Sequence, residues 1–485
     1  MKKVLLMERV MDQTRLAVIE DGQLCELIHE RPNDDNLSGN IYLGRVENVL
    51  GGMNAAFVDI GLEKNGFLAA GDIRLFAQGD RTLAGMLGKA RIEKLVHPGQ
   101  QLLVQAIRAE PGAKGARLSC HITLPGRSMV LLAGIQYVGV SKKIASADER
   151  ARLRSVGHSL TKDGVDGVIL RTAAQGMDEA QLRAEYGALQ ARWAEMRRQA
   201  EYAKGPKLVY NDNDLALHAV RDMLAEDVEA LWSDDDLCYE RLRALAEGMT
   251  PKLADRVQRY AGDTPLFDLY RVDAQAEKAL ERYVWLKSGG SLVIEETEAL
   301  TVVDVNTGKN TGRRDADDTI LAINLEAARE LMRQLRLRDI GGAIVVDFIN
   351  MRSQADREAL MVVLRECAAG DRNRTRVVDI TALGLVELTR KRARQSLSNQ
   401  LTHTCPACDG NGVVPAHEAT ARRAVRELWR RRRGGDDTAL RLEASPGVCG
   451  WIKKIGIPDG GKVELTQSDA QGEGAYRFIP ITSKH

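Results

Sequence analysis

Aromatic residues are scarce in this 485-residue chain: phenylalanine, tyrosine and tryptophan make up 4% of it, so the places where they cluster carry information. No run of about 18 apolar residues occurs, and no membrane-spanning helix is expected. The opening stretch Met1-Lys-Lys-Val-Leu-Leu-Met-Glu-Arg has too short an apolar segment for a signal peptide. Cysteine is sparse as well. Seven cysteines, an odd number and mostly scattered, argue against a disulfide framework and for a reducing cytoplasm. Charge of one sign is also missing: 69 Lys and Arg against 68 Asp and Glu leave a net +1, so any nucleic-acid contact must come from local basic patches. No Gly-x-Gly-x-x-Gly follows a strand pattern, which removes support for dinucleotide binding.

What is present suffices for several domains. The chain is too long for one ordinary core, and an apolar share of 44% allows well-buried ones. Residues 1–36 read as strands joined at Asp21-Gly22, a favoured two-residue hairpin turn. Residues 38–125 contain short strands separated by glycine-rich turns, the pattern of a small barrel. Residues 126–215 mix strands with a helical stretch from Asp178 to about Ala203, and 216–280 read as mainly helical. Strand signals return at 291–304 and 342–348, flanking a helix from Asp317 to Asp339 with Leu321, Leu325, Ala328 and Met332 on one face. A glycine-rich knuckle at 405–412 leads into a shorter basic tail.

Two short β-branched runs each end in an aspartate: Leu300-Thr-Val-Val-Asp304 and Ala343-Ile-Val-Val-Asp347. A strand, a helix and a second strand in that order form a right-handed crossover with parallel strands. Both carboxylates then emerge at the same sheet edge, where open α/β sheets bind ligands. With no histidine or cysteine beside them, they suit a hard cation such as Mg²⁺; the plainer alternative is that each aspartate caps the loop after its strand. In the barrel segment, Phe57 and Phe67 fall within eleven residues and Lys114 lies in the loop Pro111-Gly-Ala-Lys-Gly115. Exposed, two rings beside a lysine would stack bases and hold a phosphate; turned inward, they would fill the barrel core. Cys405-Pro-Ala-Cys408-Asp-Gly-Asn-Gly412 has the turn of a zinc knuckle, yet no second Cys-x-x-Cys exists. His403 and a distant residue could complete a four-ligand site, two chains could each supply two thiolates, or both thiols could stay reduced at the surface. A redox pair fits less well, since it normally opens a helix.

These residues resemble the bacterial ribonuclease E/G family, and its G branch more closely. The matching stretches include Gly39-Asn-Ile-Tyr-Leu-Gly-Arg-Val, Met53-Asn-Ala-Ala-Phe-Val-Asp-Ile-Gly61 and Ile169-Leu-Arg-Thr-Ala. Val303-Asp-Val-Asn-Thr-Gly308, Arg333-Gln-Leu-Arg-Leu-Arg-Asp-Ile-Gly-Gly342, Val346-Asp-Phe-Ile and Leu383-Gly-Leu-Val-Glu-Leu-Thr-Arg-Lys-Arg392 continue the series up to the knuckle. They run in order across about 1–412, and the absence of a long proline-rich arm favours the G branch.

The resemblance implies an α+β multidomain fold. Residues 1–36 and 216–280 would form a non-catalytic ribonuclease-H-like domain, 38–125 an inserted OB-fold RNA-binding domain and 126–215 a 5′-phosphate sensor region. A deoxyribonuclease-I-like catalytic domain would span 281–401, a zinc-link 402–415 and a small C-terminal domain 416–485. It further implies Asp304 and Asp347 as Mg²⁺ ligands with Asn306 beside them, and Phe57, Phe67 and Lys114 as RNA contacts. Arg171, Thr172 and the backbone near Val130 would read a 5′-monophosphate. Cys405 and Cys408 would share one Zn²⁺ between subunits of a homodimer, with tetramers as a further assembly. The implied activity is a cytoplasmic, Mg²⁺-dependent endoribonuclease acting on single-stranded A/U-rich RNA, in ribosomal RNA processing and messenger RNA decay, leaving 5′-phosphate ends. The competing expectation is a non-catalytic, dimeric RNA-binding clamp, which would have little physical need for the paired aspartates. Residues 413–485 match the family poorly; Arg430-Arg-Arg-Arg433 could contact RNA phosphates but reads better as a solvated helix face, and the stretch Arg74–Lys94 has no functional account.

Overall fold

The computed structural model describes residues 2–11, 13–30, 37–73, 91–108, 115–308, 316–392, 394–457, 462–468 and 475–481. Lys114 and residues 74–90 of the Arg74–Lys94 stretch lie outside them. The chain divides into two compact units, Met1–Leu397 and Ser398–His485.

In the first unit, Lys3–Val10, Gln13–Glu20 and Gln23–Glu30 form an antiparallel meander. Asp21 and Gly22 both have positive φ, 48° and 80°, as the tightest hairpin turn demands, so glycine at the second position costs no Cβ strain. Val228–Ser233 and Val257–Arg259 extend this sheet in parallel on the side of Lys3–Val10. The segment 216–280 is mainly helical, as its local pattern suggests, but it also contributes these two strands. Its two strands are stabilised by pairing with a partner far earlier in the chain, which local periodicity does not reveal. Helix Asp236–Met249, capped by the Asp235 side chain, buries Leu242 and Ala246 against the sheet.

Five strands close into a barrel, in the order Ile41–Leu50, Ala55–Asp59, Gly66–Ala69, Arg117–Ser119, Gln101–Arg108 and back to Ile41–Leu50. Its interior holds Tyr42, Val46, Ala56, Val58, Leu68, Val104 and Leu118. A four-stranded sheet follows, built from Thr123–Pro125, Met129–Leu132, Gly167–Leu170 and Val138–Val140. Two helices, Ala147–Thr161 and Glu179–Tyr202, bury Leu153, Leu160, Leu182 and Trp193 in its core. Asp178 starts the second with a capping box: its side chain accepts from Gln181 N while the Gln181 side chain accepts from Asp178 N.

The last layer of this unit carries the paired aspartates. Its strands and helices are β1 (Tyr283–Trp285), β2 (Ser291–Glu296), β3 (Leu300–Asn306), α1 (Ala316–Leu337), β4 (Gly342–Asp347), α2 (Gln354–Ala369), β5 (Arg376–Ile380) and β6 (Val386–Arg390). The sheet order is β1-β2-β3-β4-β6-β5, and β3 and β4 are its parallel pair. Strict alternation sorts the side chains. Leu292, Ile294, Val303, Val305, Ile344, Val346, Val386 and Leu388 face a core shared with Ala328, Leu331 and Met332 of α1 and Leu360 and Leu364 of α2. Val302, Asp304, Asn306, Asp347, Glu387 and Thr389 stand on the opposite, exposed face.

Ion pairs fasten this layer from within and to the first sheet. Arg390, 4% exposed, donates to Asp371 at 2.8 Å, to Asp339 at 2.9 Å and to the Ile340 carbonyl at 2.9 Å. Arg336, near the end of α1, donates to both Glu20 and Glu26 of the meander, and Arg333 reaches the Leu24 carbonyl at 2.6 Å.

In the second unit, helix His417–Arg433 and helix Pro446–Ile455 cover a three-stranded sheet ordered Val463–Gln467, Leu440–Ala444, Tyr476–Pro480. Within the arginine run, Arg431 pairs with Glu427 and Arg432 donates to the Asp436 and Thr438 carbonyls, while Arg430 and Arg433 are exposed. Among the described residues of the whole chain, no helix is long and apolar enough to cross a membrane.

Arg390 supplies the first testable expectation. Burial pushes the Asp371 carboxyl up, but the Arg390 guanidinium and the Thr375 hydroxyl outweigh it and hold it below the ordinary 3.8. The stability this contributes is complete above that value and is lost as the pH falls below it. Arg390→Met strands two carboxylates and should cost about 3–5 kcal/mol at neutral pH. Urea unfolding of both proteins across the acidic range should show the deficit shrinking as the stranded Asp371 takes up its proton.

Candidate active site

Asp304 and Asp347 are direct register partners on the parallel strands β3 and β4. Adjacent strands lie about 4.8 Å apart, and residues in one rung project to the same face. The two exposed carboxylates are thus neighbours, where like charges opposite one another are destabilising. Neither forms an ion pair with a described residue; the contact that fixes Asp304 is a 2.8 Å hydrogen bond from Asn306 Nδ2 to its Oδ2. Asn306 is two positions on and shares the face by alternation. An uncompensated carboxylate pair with an amide beside it is a donor set of hard oxygens, which fits a Mg²⁺ ion. One such cation would offset the repulsion that the protein leaves standing.

The backbone around these groups is tightly held. Gly308, at φ 64°, follows the Asp304–Asn306 segment, and a Cβ there would meet the Gly289 carbonyl at 2.1 Å. Only glycine lets the two chains pass this closely. Glu326 of α1 accepts from the amides of Lys287 and Ser288, at 2.7 and 3.2 Å, steadying the facing turn. Beyond Asp347, Asn324 of α1 is fully buried: its amide donates to the Ile349 carbonyl at 2.8 Å and accepts from Ile349 N at 3.1 Å. Sequence reading passed over Asn324. The signal was a polar residue inside the apolar stripe between Leu321 and Ala328, where it must find partners to be tolerated.

A cleft of about 410 Å³ opens on the exposed face, lined by Asp304 and Asn306 together with Arg282, Tyr283, Trp285 and Val302. These β1 aromatics carried no signal in the sequence reading beyond their rarity.

The other candidate residues fall into three groups. Phe57 and Phe67 are register partners on adjacent barrel strands, with ring centroids 6.1 Å apart and edge-to-face at 70°. Both are half-buried and stand apart from the packed interior of the barrel. Arg171, Thr172 and Val130 also come together, since Val130 and Met129 pair with Ile169 and Leu170 immediately before the Arg-Thr step. Arg171 Nη1 donates to the Gly126 carbonyl at 2.6 Å, and its guanidinium lies 3.2 Å from Asp222 Oδ1. Burial pushes the Asp222 carboxyl up, but Arg221 first, and then His218 and Arg171, bring it below its ordinary value, so it remains charged. Asp222 was not legible as a partner because it lies 51 positions along the chain from Arg171, and only the fold brings the two together.

Cys405 and Cys408 belong to the second unit. The knuckle is closed by Asp409 N to the Cys405 carbonyl at 2.8 Å and by Asn411 N to the Cys408 carbonyl at 2.9 Å. Asp409, Gly410 and Gly412 all have positive φ, and Gly412 N lies 3.3 Å from Cys408 Sγ. Amides of Ala407 and Cys408 directed at the Cys405 sulfur lower its pKa, favouring the thiolate a zinc ion needs. Among the described residues no group of three His, Cys, Asp or Glu could hold a metal ion. The knuckle as it stands is a two-thiolate half-site, and it fits half of a tetrahedral zinc centre.

Residues 123–393 match the model of the ribonuclease E/G family. The chain is 40% identical over 453 residues to ribonuclease G of Escherichia coli strain K12, covering 93% of this chain and 92% of that protein. It is 38% identical over 450 residues to ribonuclease G of Haemophilus influenzae, covering 92% and 91%. Against ribonuclease E of the same organism the identity is 34% over 430 residues, which span 88% of this chain and 46% of the relative. The chain belongs to the ribonuclease E/G family.

Proposed function

We propose that this protein is a Mg²⁺-dependent endoribonuclease that hydrolyses single-stranded, A/U-rich RNA, ribosomal RNA precursors and messenger RNA among it. The observation that carries the reading is the shared rung of Asp304 and Asp347 on an open sheet face. The names of the relatives, ribonuclease G and ribonuclease E, support the substrate class.

Hydrolysis of a phosphodiester requires an activated water in line with the leaving 3′-oxygen and a counter to charge building on phosphorus. When bound, Mg²⁺ lowers the pKa of its water and neutralises the phosphoryl oxygens. Asp304 and Asp347 would hold it. Asn306 orients one Asp304 oxygen through its side-chain amide, leaving the other carboxylate oxygen of Asp304 for the cation. Departure of the 3′-oxygen gives 3′-hydroxyl and 5′-phosphate ends. Phe57 and Phe67 would offer ring faces for bases at the barrel surface. Lys114, outside the described residues, would be the phosphate contact. Arg171 would bind a terminal 5′-phosphate and so favour 5′-monophosphorylated RNA, with Thr172 and the Val130 backbone completing the pocket. The phosphate would share that guanidinium with Asp222. Cys405 and Cys408, with their counterparts in a second copy, would close a Zn²⁺ site that links a cytoplasmic homodimer, and such dimers could pair into tetramers.

Asp304→Asn and Asp347→Asn should each keep the fold and RNA affinity while slowing cleavage about 100-fold or more. A time course on 5′-monophosphorylated RNA with Mg²⁺ and then with EDTA checks this, and wild-type turnover in either variant would discard the assignment. Arg171→Ala should slow cleavage of 5′-monophosphorylated RNA more than that of 5′-hydroxyl RNA; equal slowing would remove the sensor role. Cys405→Ser with Cys408→Ser should abolish bound zinc and reduce the sedimenting mass to that of one chain. Zinc lost with the dimer intact would place the subunit contact elsewhere.

A further inference from the structure

We infer that Tyr283 and Trp285 form a base-stacking subsite beside the carboxylate pair, holding the base of a nucleotide close to the scissile phosphate. The inference rests on the nuclease reading above and adds a specificity-determining contact to it.

Strand register places the rings. Tyr283 pairs with Val293, Val293 with Asp304 and Asp304 with Asp347, so all four lie in one rung across four adjacent strands. The next rung on the same face runs from Trp285 through Ser291 to Asn306. Partners in a rung project to one side of a sheet, so both rings stand on the face that carries the acidic pair. Tyr283 is two strands from Asp304, about 10 Å at the usual strand spacing. Val284 between them turns inward and packs against the core, which fixes the strand and leaves the two aromatics outward.

Exposure argues that something flat covers them. Trp285 is 71% exposed, the most exposed of the five tryptophans, and Tyr283 is 50% exposed. In a chain with so few aromatics, two bare rings on one three-residue strand are costly to leave in water. They line the same cleft as Asp304 and Asn306, so any polymer placing a phosphate at the carboxylates runs alongside them. Arg282 sits 5.8 Å from the Tyr283 ring, with its charge paired to that of Glu295 at the cleft wall. Aromatics on an open sheet face are a recurrent device for stacking unpaired bases.

A second copy of the chain fits this face less well. Asp304 and Asp347 share the face with the rings, so a symmetric contact would set like charges against one another. A base is neutral, and its phosphate is served by the cation.

The test uses the full-length protein with a short A/U-rich single-stranded RNA bearing a 5′-monophosphate. A parallel set carries one abasic ribose at each position around the cut. Affinity is read in EDTA and single-turnover cleavage in Mg²⁺, for wild type, Trp285→Ala, Trp285→Phe and Tyr283→Ala; the exposure of both rings makes folding of the variants straightforward to verify by melting. Trp285→Ala should weaken RNA affinity on the order of 10-fold, with Trp285→Phe recovering most of it. One abasic position near the cut should weaken wild type comparably and add nothing in Trp285→Ala. Affinity unchanged in Trp285→Ala, equal losses at every abasic position, or a variant that alters only the sedimenting mass would each overturn the subsite. A wild-type protein that binds RNA but does not cleave it with any divalent metal would instead overturn the nuclease reading, and the affinity arm would still decide the stacking.

Discussion

Everything at the candidate site depends on one parallel strand pair held in register. The crossover through α1 brings Asp304 and Asp347 opposite each other, and sheet geometry allows their side chains no other course than the same face. Two like charges in that position cost free energy, and no described residue relieves it by ion pairing. The sheet therefore stores an electrostatic demand that a divalent cation meets. Function in this layer begins as an unfavourable term that the fold tolerates because the rest of the layer is so well tied.

The ties are identifiable. Packing of α1 and α2 on the inner face supplies most of the cohesion, with Leu331, Leu335, Leu360 and Leu364 fully buried. Polar groups then fix details that apolar packing cannot. Arg390 binds the ends of β6 and α2 and the turn after α1 through Asp371, Asp339 and Ile340. Asn324 grips the chain just beyond Asp347, and Glu326 grips the turn that Gly308 approaches. Arg336 joins α1 to Glu20 and Glu26, so the layer bearing the acidic pair and the N-terminal meander are mechanically continuous.

Local chemistry made parts of this legible in advance. Alternation and β-branching in Leu300–Asp304 and Ala343–Asp347 fixed which side chains share a face, and the helical stripe between them fixed the crossover. Asp21-Gly22 and the Asp178 cap were readable because a turn and a helix start depend on residues within a few positions. The strands Val228–Ser233 and Val257–Arg259 were not, since their stability comes from pairing with Lys3–Val10 and with each other across long stretches of chain. Asp222 was missed because its contact with Arg171 likewise spans a long stretch of chain. Tyr283 and Trp285 were missed for a different reason: a three-residue strand is too short for periodicity to show, and only its register with β2 and β3 turns the rings toward the carboxylates. The roles of Arg171, Thr172 and Val130 came from resemblance alone, because an arginine after a strand has no distinctive pattern of its own.

The most direct measurement is a Mn²⁺ titration of the full-length protein bound to a short RNA with a non-cleavable linkage, following loss of the free-ion magnetic resonance signal. Mn²⁺ prefers the same hard oxygen donors as Mg²⁺. A metal site on the paired aspartates predicts uptake in the wild type that Asp304→Asn and Asp347→Asn each remove, with RNA still bound. Unchanged metal uptake in both variants would contradict it, and the paired aspartates would then have to be read as strand-end caps.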